Sequence, residues 1–160
     1  MFAVLGTMLL FGFFIFLISF LVVISFHILM AIGLYNIAKH DGNDKAFLAW
    51  FPVVNVILMA MIVDRDVHKP LRGKFAIIMG VVMALSILLS AKTMFISFLS
   101  FALVIYAFYF IAERYSKNVI ANVVVAVLTL GIAMSIQLFR FRNRKPVYKV
   151  EFDEDGNIYG

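Results

Sequence analysis

Hydrophobic residues along this chain form long runs that are separated by short polar breaks. The runs lie at about residues 8–33, 46–63, 75–91, 94–112 and 119–139. Each is near or above the roughly 20 residues that an α-helix needs to cross about 30 Å of hydrocarbon. The pattern therefore predicts an all-α integral membrane protein, in which a bundle of five hydrophobic segments (residues 1–139) precedes a charged tail at residues 140–160.

The second segment contains two residues that do not suit a continuous membrane helix. Pro52 lacks a backbone donor, and Asn55 places an amide near the middle of the segment. We therefore expect this helix to be broken or re-entrant at Pro52. If residues 46–63 only dip into the membrane, the chain crosses it four times instead of five, and both termini share one side.

Composition supports the membrane assignment, because 64% of the residues are hydrophobic and the mean hydropathy is +1.04. The net charge of +5 resides in the loops and the tail, where Lys and Arg contact anionic lipid headgroups. Nucleic acid is not expected as a partner.

With five spans and the amino terminus outside, eight Lys and Arg residues lie on the inner side and six outside. The basic cluster directly after the last segment places the carboxyl terminus in the cytoplasm.

A family resemblance rests on the stretch between the first two segments. This stretch reads Ile37-Ala38-Lys39, Gly42, Ala46-Phe47-Leu48-Ala49-Trp50-Phe51-Pro52 and Asn55. It resembles small uncharacterised multi-spanning bacterial membrane proteins that carry I-A-K-x-x-G-x-x-x-A-W-L-A-W-I-P-x-x-N, with Phe47 in place of Trp and Phe51 in place of Ile. The resemblance covers residues 37–55 only. It implies a location in the bacterial cell membrane and no particular activity.

The same stretch has a physical interpretation as a motif at the membrane interface. Gly42 suits the left-handed conformation that ends a helix, Trp50 suits the headgroup layer, and Pro52 opens the backbone ladder of the next segment. We expect these three residues to act together at the membrane surface.

Four polar residues within the hydrophobic segments are candidates for chemistry at membrane depth: His27, Asn55, Asn122 and Gln137. His27 is ionisable, which favours a proton or ion site, but no carboxylate occurs at similar depth. The alternative is a neutral imidazole that hydrogen-bonds a backbone carbonyl, and this is our expectation. For Asn55 we expect a hydrogen bond to the carbonyl that Pro52 frees or to a neighbouring helix.

No catalytic, cofactor-binding or metal-binding motif is found in the sequence. Because the chain has no cysteine, thiolate nucleophiles and Cys-ligated metal sites are excluded. The acidic residues of the loops are expected to pair with basic neighbours such as Lys45, Arg65 and Lys69. We therefore predict that the protein is not an enzyme.

Two further patterns concern organisation. Residues 35–39, YNIAK, are echoed by residues 109–113, YFIAE, and each stretch ends a hydrophobic segment. Five spans would make the two units inverted relative to each other.

The tail alternates apolar and charged residues and contains Asp155-Gly156, which predicts a β-hairpin.

The function that the sequence favours is association. We predict a non-catalytic membrane protein, a small accessory, assembly or immunity-type subunit whose partner is another membrane protein or a second copy. One face of the third segment carries small residues every four positions, which allows a helix to approach closely: Ala76, Gly80 and Ala84. The alternative is a small transporter or holin-like pore with a polar path through the four polar residues named above.

Overall fold

The computed structural model describes residues 2–89, 94–146, 151–152 and 158–159. The elements in chain order are α1 (Phe2–His40), a 3-10 helix (Ala46–Trp50), α2 (Val54–Val63), a 3-10 helix (Lys69–Leu71), α3 (Phe75–Leu89), α4 (Met94–Tyr115), α5 (Val119–Leu128), α6 (Ile132–Phe141), β1 (Glu151–Phe152) and β2 (Ile158–Tyr159). The fold is helical, and β1 and β2 form one short antiparallel pair. The turn predicted at Asp155-Gly156 lies outside the described residues. Among the residues that the structure describes, two helical stretches are long and apolar enough to cross a membrane, Met8–His40 and Met94–Tyr115.

The break predicted in the second segment is present. Val53 has φ +70° and ψ −47°, and the N–H of Val54 donates to the carbonyl of Pro52 at 2.9 Å. This is the rare form of the γ-turn, in which the central residue has a positive φ, and that conformation is strained for a β-branched residue. The 3-10 helix Ala46–Trp50 and α2 are therefore separate helices on either side of a sharp turn.

Residues 41–66 form a hairpin, here called hairpin A, because its two ends meet while its tip lies far away. Asp41 and Asp66 both contact the guanidinium of Arg114. At the tip, the carbonyl of Trp50 lies 3.1 Å from Nε2 of His27. His27 lies about 20 Å along α1 from the end of that helix. Hairpin A therefore leaves one end of the bundle and returns to it.

The prediction of one continuous fifth segment at residues 119–139 is wrong. The chain reverses between α5 and α6, where Leu130 has φ +50° and Gly131 has φ +89°. Thr129 helps to begin α6, since its hydroxyl accepts the N–H of Ala133 at 3.0 Å. The physical reason for the break is that Gly131 readily adopts the left-handed conformation that ends a helix.

Residues 116–144 accordingly form a second hairpin, hairpin B. Near its ends, Arg144 donates to the carbonyl of Tyr115 at 3.3 Å, and the rings of Tyr115 and Phe141 stack with centroids 6.2 Å apart. At its tip, a Cβ on Gly131 would lie 3.9 Å from the ring of Phe101. Phe101 lies about 20 Å along α4 from Tyr115. Hairpin B thus also leaves and returns to one end of the bundle.

The two hairpins exchange their second arms. The 3-10 helix of hairpin A packs on α1 and α2 packs on α4, whereas α5 packs on α4 and α6 packs on α1. The approach of α1 to α6 is closest at Gly33, where a Cβ would lie 2.6 Å from the carbonyl carbon of Leu138. Helix α3 packs beside α2 and α4. Fully buried side chains from these contacts form the core: Leu34, Ile37, Leu58, Val63, Phe108, Ile111 and Leu138.

The internal echo in the sequence coincides with these two units. The shift that superposes Tyr35 on Tyr109 also superposes His27 on Phe101, and these two residues lie at the two hairpin tips. The expectation of inverted units is wrong, because α1 and α4 end on the same side of the bundle. The two units instead run in the same direction, since the ends of α1 and α4 are joined by the contact between Asp41 and Arg114.

The first half of α1 stands apart from this packing. Every large hydrophobic side chain from Met8 to Ile24 is exposed, by 37–71% of its surface. Contacts with the bundle begin near His27 and continue to His40. The bundle therefore covers the second half of α1 only.

Candidate functional site at the cationic end

Positive charge is concentrated where α1 and α4 end and where α3 begins, here called the cationic end. The carboxylate of Asp64 holds the start of α3 there, since it accepts the N–H of Gly73 at 2.8 Å and that of Phe75 at 3.1 Å. All twelve Lys and Arg residues of the described chain belong to segments at this end: Lys39, Lys45, Arg65, Lys69, Arg72, Lys74, Arg114, Lys117, Arg140, Arg142, Arg144 and Lys145. The hairpins produce this asymmetry, because each begins and ends on the same side.

Arg114 holds both ends of hairpin A. Its guanidinium contacts Asp41 at 2.7 Å, pairs with Asp66, and donates to the carbonyl of Ile62 at 3.1 Å. The side chains are mostly buried, with 14% of Arg114 and 8% of Asp66 exposed. Such partly desolvated pairs hold their partners firmly, because losing either one leaves a buried charge uncompensated. The two loop acids thus find their partner on α4, in a distant part of the sequence.

Asp66 illustrates the electrostatic cost of this arrangement. Burial raises the pKa of its carboxyl group above the ordinary value of 3.8, while Arg114 acts in the opposite direction. Burial has the larger effect because the charged carboxylate loses its hydration. Arg114 is therefore the group that keeps a carboxylate tolerable at this position.

A cavity of about 640 Å³ opens at the cationic end, between the α4–α5 turn and the end of α6. We call it the basic pocket. Four cationic side chains line it: Lys117, Arg140, Arg144 and Lys145. The other lining residues are Tyr115, Ser116, Asn118, Ala121, Asn122, Gln137 and Phe141. Among the described residues that line the pocket there is no Asp or Glu.

The floor of the basic pocket is ordered by hydrogen bonds, yet two of its buried polar groups are unsatisfied. Asn122 donates to the hydroxyl of Ser116 at 2.7 Å and to the carbonyl of Asn118 at 2.9 Å. The hydroxyl of Tyr115 and Oε1 of Gln137 have no hydrogen-bond partner within the described part of the chain. These residues are only 2% and 8% exposed.

The four predicted polar residues fall into two separate groups. His27 lies 3.1 Å from the carbonyl of Trp50, and Asn55 donates to the sulfur of Met30 at 3.8 Å, so both join hairpin A to α1. The other two, Asn122 and Gln137, line the basic pocket. In the described residues no hydrogen bond links one group to the other, so a single polar path through all four is not seen there.

The residues of the predicted interfacial motif are not brought together either. Gly42 has φ +70° and ends α1 at the cationic end, as the sequence indicates. Trp50 and Pro52 lie at the tip of hairpin A beside His27, about 20 Å away along α1. Hairpin A separates Gly42 from Trp50 and Pro52, because its first arm runs from the cationic end to the hairpin tip.

The small-residue stripe of α3 serves mainly the chain's own packing. Ala76 packs against the core, and a Cβ on Gly80 would lie 3.6 Å from Cδ1 of Ile57 in α2. Ala84 is exposed. As a contact surface for another protein, the stripe stays a prediction, and Ala84 is the most exposed of its three residues.

Sequence reasoning missed Arg114 and the basic pocket. Arg114 follows the YFIAE stretch and lies in the last turn of α4, and its position near the end of a hydrophobic segment was the available signal. The pocket combines the α4–α5 turn with the end of α6, and finding it requires knowing that residues 119–139 double back. The signal for that reversal was Gly131 within the hydrophobic run.

Comparisons of this chain with models of known protein families, with characterised proteins and with solved structures find no match. The resemblance of residues 37–55 to small bacterial membrane proteins therefore stays a prediction.

Proposed function

We propose that the chain is a multi-pass protein of the bacterial cell membrane that acts by association with another membrane protein. In this proposal α1 and α4 cross the bilayer, and the shorter α3, with 15 residues, crosses it together with the residues that follow it in the sequence. Hairpins A and B enter the bilayer from the cationic end and return. The apolar outer surfaces of α1 and α4 support it, as does the uneven distribution of charge. Because Lys and Arg are retained on the cytoplasmic side, the cationic end and the carboxyl terminus face the cytoplasm.

This arrangement accounts for charge better than five crossings do. Five crossings divide the basic residues eight to six, whereas three crossings leave only Lys92 opposite the other thirteen. Lys92 is assigned here by its sequence position between α3 and α4. The asymmetry is the one that the positive-inside rule favours, and anionic headgroups are the natural counterions of such a surface.

The observation that carries the proposed function is the exposed first half of α1. At 1.5 Å per residue, the 33 residues of Met8–His40 extend about 50 Å, whereas the hydrocarbon layer is about 30 Å thick. The close contact of Gly33 with α6 couples the tilt of α1 to that of the bundle. Several turns of purely apolar helix therefore project beyond the lipid unless another protein covers them.

A covering protein would be stabilised by the surface it buries. Each large apolar side chain transferred out of water contributes about 1.5–3 kcal/mol. Phe11, Phe13 and Phe14 are among the residues of this projecting part, and each is more than half exposed. The protein then works as a small accessory, assembly or immunity-type subunit whose α1 is its attachment to a larger membrane complex.

Photo-crosslinking from single cysteines tests this proposal without background, because the native chain has no cysteine. Phe11→Cys on α1 and Ile77→Cys on α3 are matched, since both native side chains are 68% exposed. We expect a crosslinker at position 11 to capture one stoichiometric foreign polypeptide in native membranes, and a crosslinker at position 77 to capture lipid. Lipid alone at both positions would contradict the proposal.

A small transporter or holin-like pore is the second candidate, and the two hairpins are the observation that favours it. Broken helices that enter a membrane and return are typical of transport proteins, where they lie between repeated units. If position 11 captures a second copy of the chain, this candidate is favoured. Flux of ions or small solutes into proteoliposomes, lost on His27→Leu, would support it.

A further inference from the structure

We infer that the basic pocket is a binding site for a phosphate ester. Four cationic side chains surround one opening, and no described residue of the lining offsets their charge. Neither the pair of Arg114 with Asp41 nor its pair with Asp66 involves Lys117, Arg140 or Arg144. Like charges gathered at one cavity repel each other unless an anion occupies it. The charge of the lining therefore favours an anionic ligand.

The hydrogen-bonding groups of the pocket identify the kind of anion. Arginine forks match the oxygens of phosphate in a bidentate manner, and two arginines, Arg140 and Arg144, line this pocket. The hydroxyl of Tyr115 has no partner among the described residues and is buried behind the lining of the pocket. Buried polar groups without partners call for a ligand or water.

The backbone adds to the same preference. Helix α5 begins at the pocket, and no side chain caps its N terminus. The free N–H groups and the dipole of a helix N terminus attract phosphate. Side chains and backbone thus favour negative charge at one place. This agreement rests on the geometry of α4–α6 and does not depend on the partner proposed for α1.

The size of the cavity leaves room for more than inorganic phosphate. A volume of about 640 Å³ is large enough for a phosphate together with an attached group. Basic pockets between helices on the cytoplasmic side of a membrane suit the headgroups of anionic lipids. The shared chemistry is a phosphate ester, which belongs either to a lipid headgroup or to a soluble phosphorylated molecule.

The test places a reporter in the pocket of the full-length protein. Ala121→Cys, labelled with an environment-sensitive fluorophore, lies on the rim and is exposed. One arm compares nanodiscs of phosphatidylcholine with nanodiscs that also contain phosphatidylglycerol. The other arm adds glycerol 3-phosphate to phosphatidylcholine nanodiscs at constant ionic strength. A response to phosphatidylglycerol alone identifies a lipid headgroup, and a response to glycerol 3-phosphate identifies a soluble ester.

Substitutions separate the pocket from general surface charge. The affinity is measured as the amount of phosphatidylglycerol or glycerol 3-phosphate that gives half of the maximal response. We expect the double substitution Arg140→Gln with Arg144→Gln to raise this amount about tenfold or more, because charge-assisted hydrogen bonds are lost. Arg142→Gln is the matched control, since Arg142 lies between them on the chain but stacks on the ring of Phe139 at 3.8 Å and does not line the pocket. It should change the response by no more than about twofold.

Two results would overturn the inference. The first is no response in either arm. The second is an equal loss from Arg142→Gln and from the double substitution, which would show diffuse attraction by the whole surface. Because Arg144 also bonds the carbonyl of Tyr115, Lys117→Gln provides a second variant, at an exposed position whose replacement leaves that bond in place. It should also weaken the response.

Discussion

Replacing Arg114 by methionine should destabilise the protein severely. The substitution keeps most of the side-chain volume but leaves Asp41 and Asp66 without their cation. Because only 8% of the Asp66 side chain is exposed, water cannot take over the role of the guanidinium. Removing one partner of such a pair costs about 3–5 kcal/mol. For a chain of this size we expect the melting temperature to fall by about 6–20 °C.

The assay is thermal unfolding of the purified protein in nanodiscs, followed by the fluorescence of Trp50, the single tryptophan. Arg65→Met is the control, because Arg65 is exposed in the same loop as Asp66. It should change stability by no more than about 0.5 kcal/mol. Adding Asp66→Asn to Arg114→Met should recover part of the loss, since the unpaired buried charge is removed. Equal melting temperatures for Arg114→Met and Arg65→Met would refute this account of the cluster.

The loss should also depend on pH with a definite sign. Without Arg114, the pKa of Asp66 rises further above its ordinary value of 3.8, because burial then acts unopposed. A carboxyl group whose pKa is higher in the folded state favours folding below the unfolded value, and that advantage is lost as pH rises through the folded value. The deficit of Arg114→Met relative to wild type should therefore shrink on acidification. A deficit that stays constant or grows at acid pH would show that Asp66 is not its source.

Two further predictions concern packing and topology. Gly33→Ala should lower the free energy of unfolding by about 1–3 kcal/mol, because the added Cβ would lie 2.6 Å from the backbone of α6. Gly12→Ala is the control and should be neutral, since its Cβ has no neighbour within 4 Å. Equal melting temperatures for the two variants would contradict the close approach of α1 to α6. Single cysteines at the exposed residues His68 and Asn143 should both be labelled from the cytoplasm, and one at Gly6 should not. Labelling of the first two from opposite sides would mean that hairpin A or hairpin B crosses the membrane instead of returning.

Local signals in the sequence predicted the features that depend on neighbouring residues. The helical character of the hydrophobic runs, the end of α1 at Gly42 and the break at Pro52 all follow from the conformations that these residues permit. Run length was misleading at residues 119–139, because two short helices joined by Thr129 to Gly131 have the same total length as one crossing helix.

The features that the sequence did not predict depend on contacts between distant parts of the chain. Arg114 meets Asp41 only because hairpin A returns to its starting point, and no spacing rule connects two such positions. The basic pocket likewise requires hairpin B to return, since it combines Lys117 with Arg140. The five-crossing arrangement divided Lys and Arg almost equally between the two sides of the membrane, because it treated each hairpin as a crossing. Each crossing that is wrongly assumed places the loops after it on the opposite side.

The exchange of hairpin arms has a consequence for the order of events during synthesis. The first unit is translated well before the second, but Gly33 receives its partner, the backbone of α6, only when the last helix has been made. The nascent first unit must therefore wait in the membrane with one flank of α1 uncovered. Contacts between residues so far apart in sequence form slowly. A ribosome stalled before α6 would leave an intermediate that insertion chaperones can hold and membrane proteases can degrade.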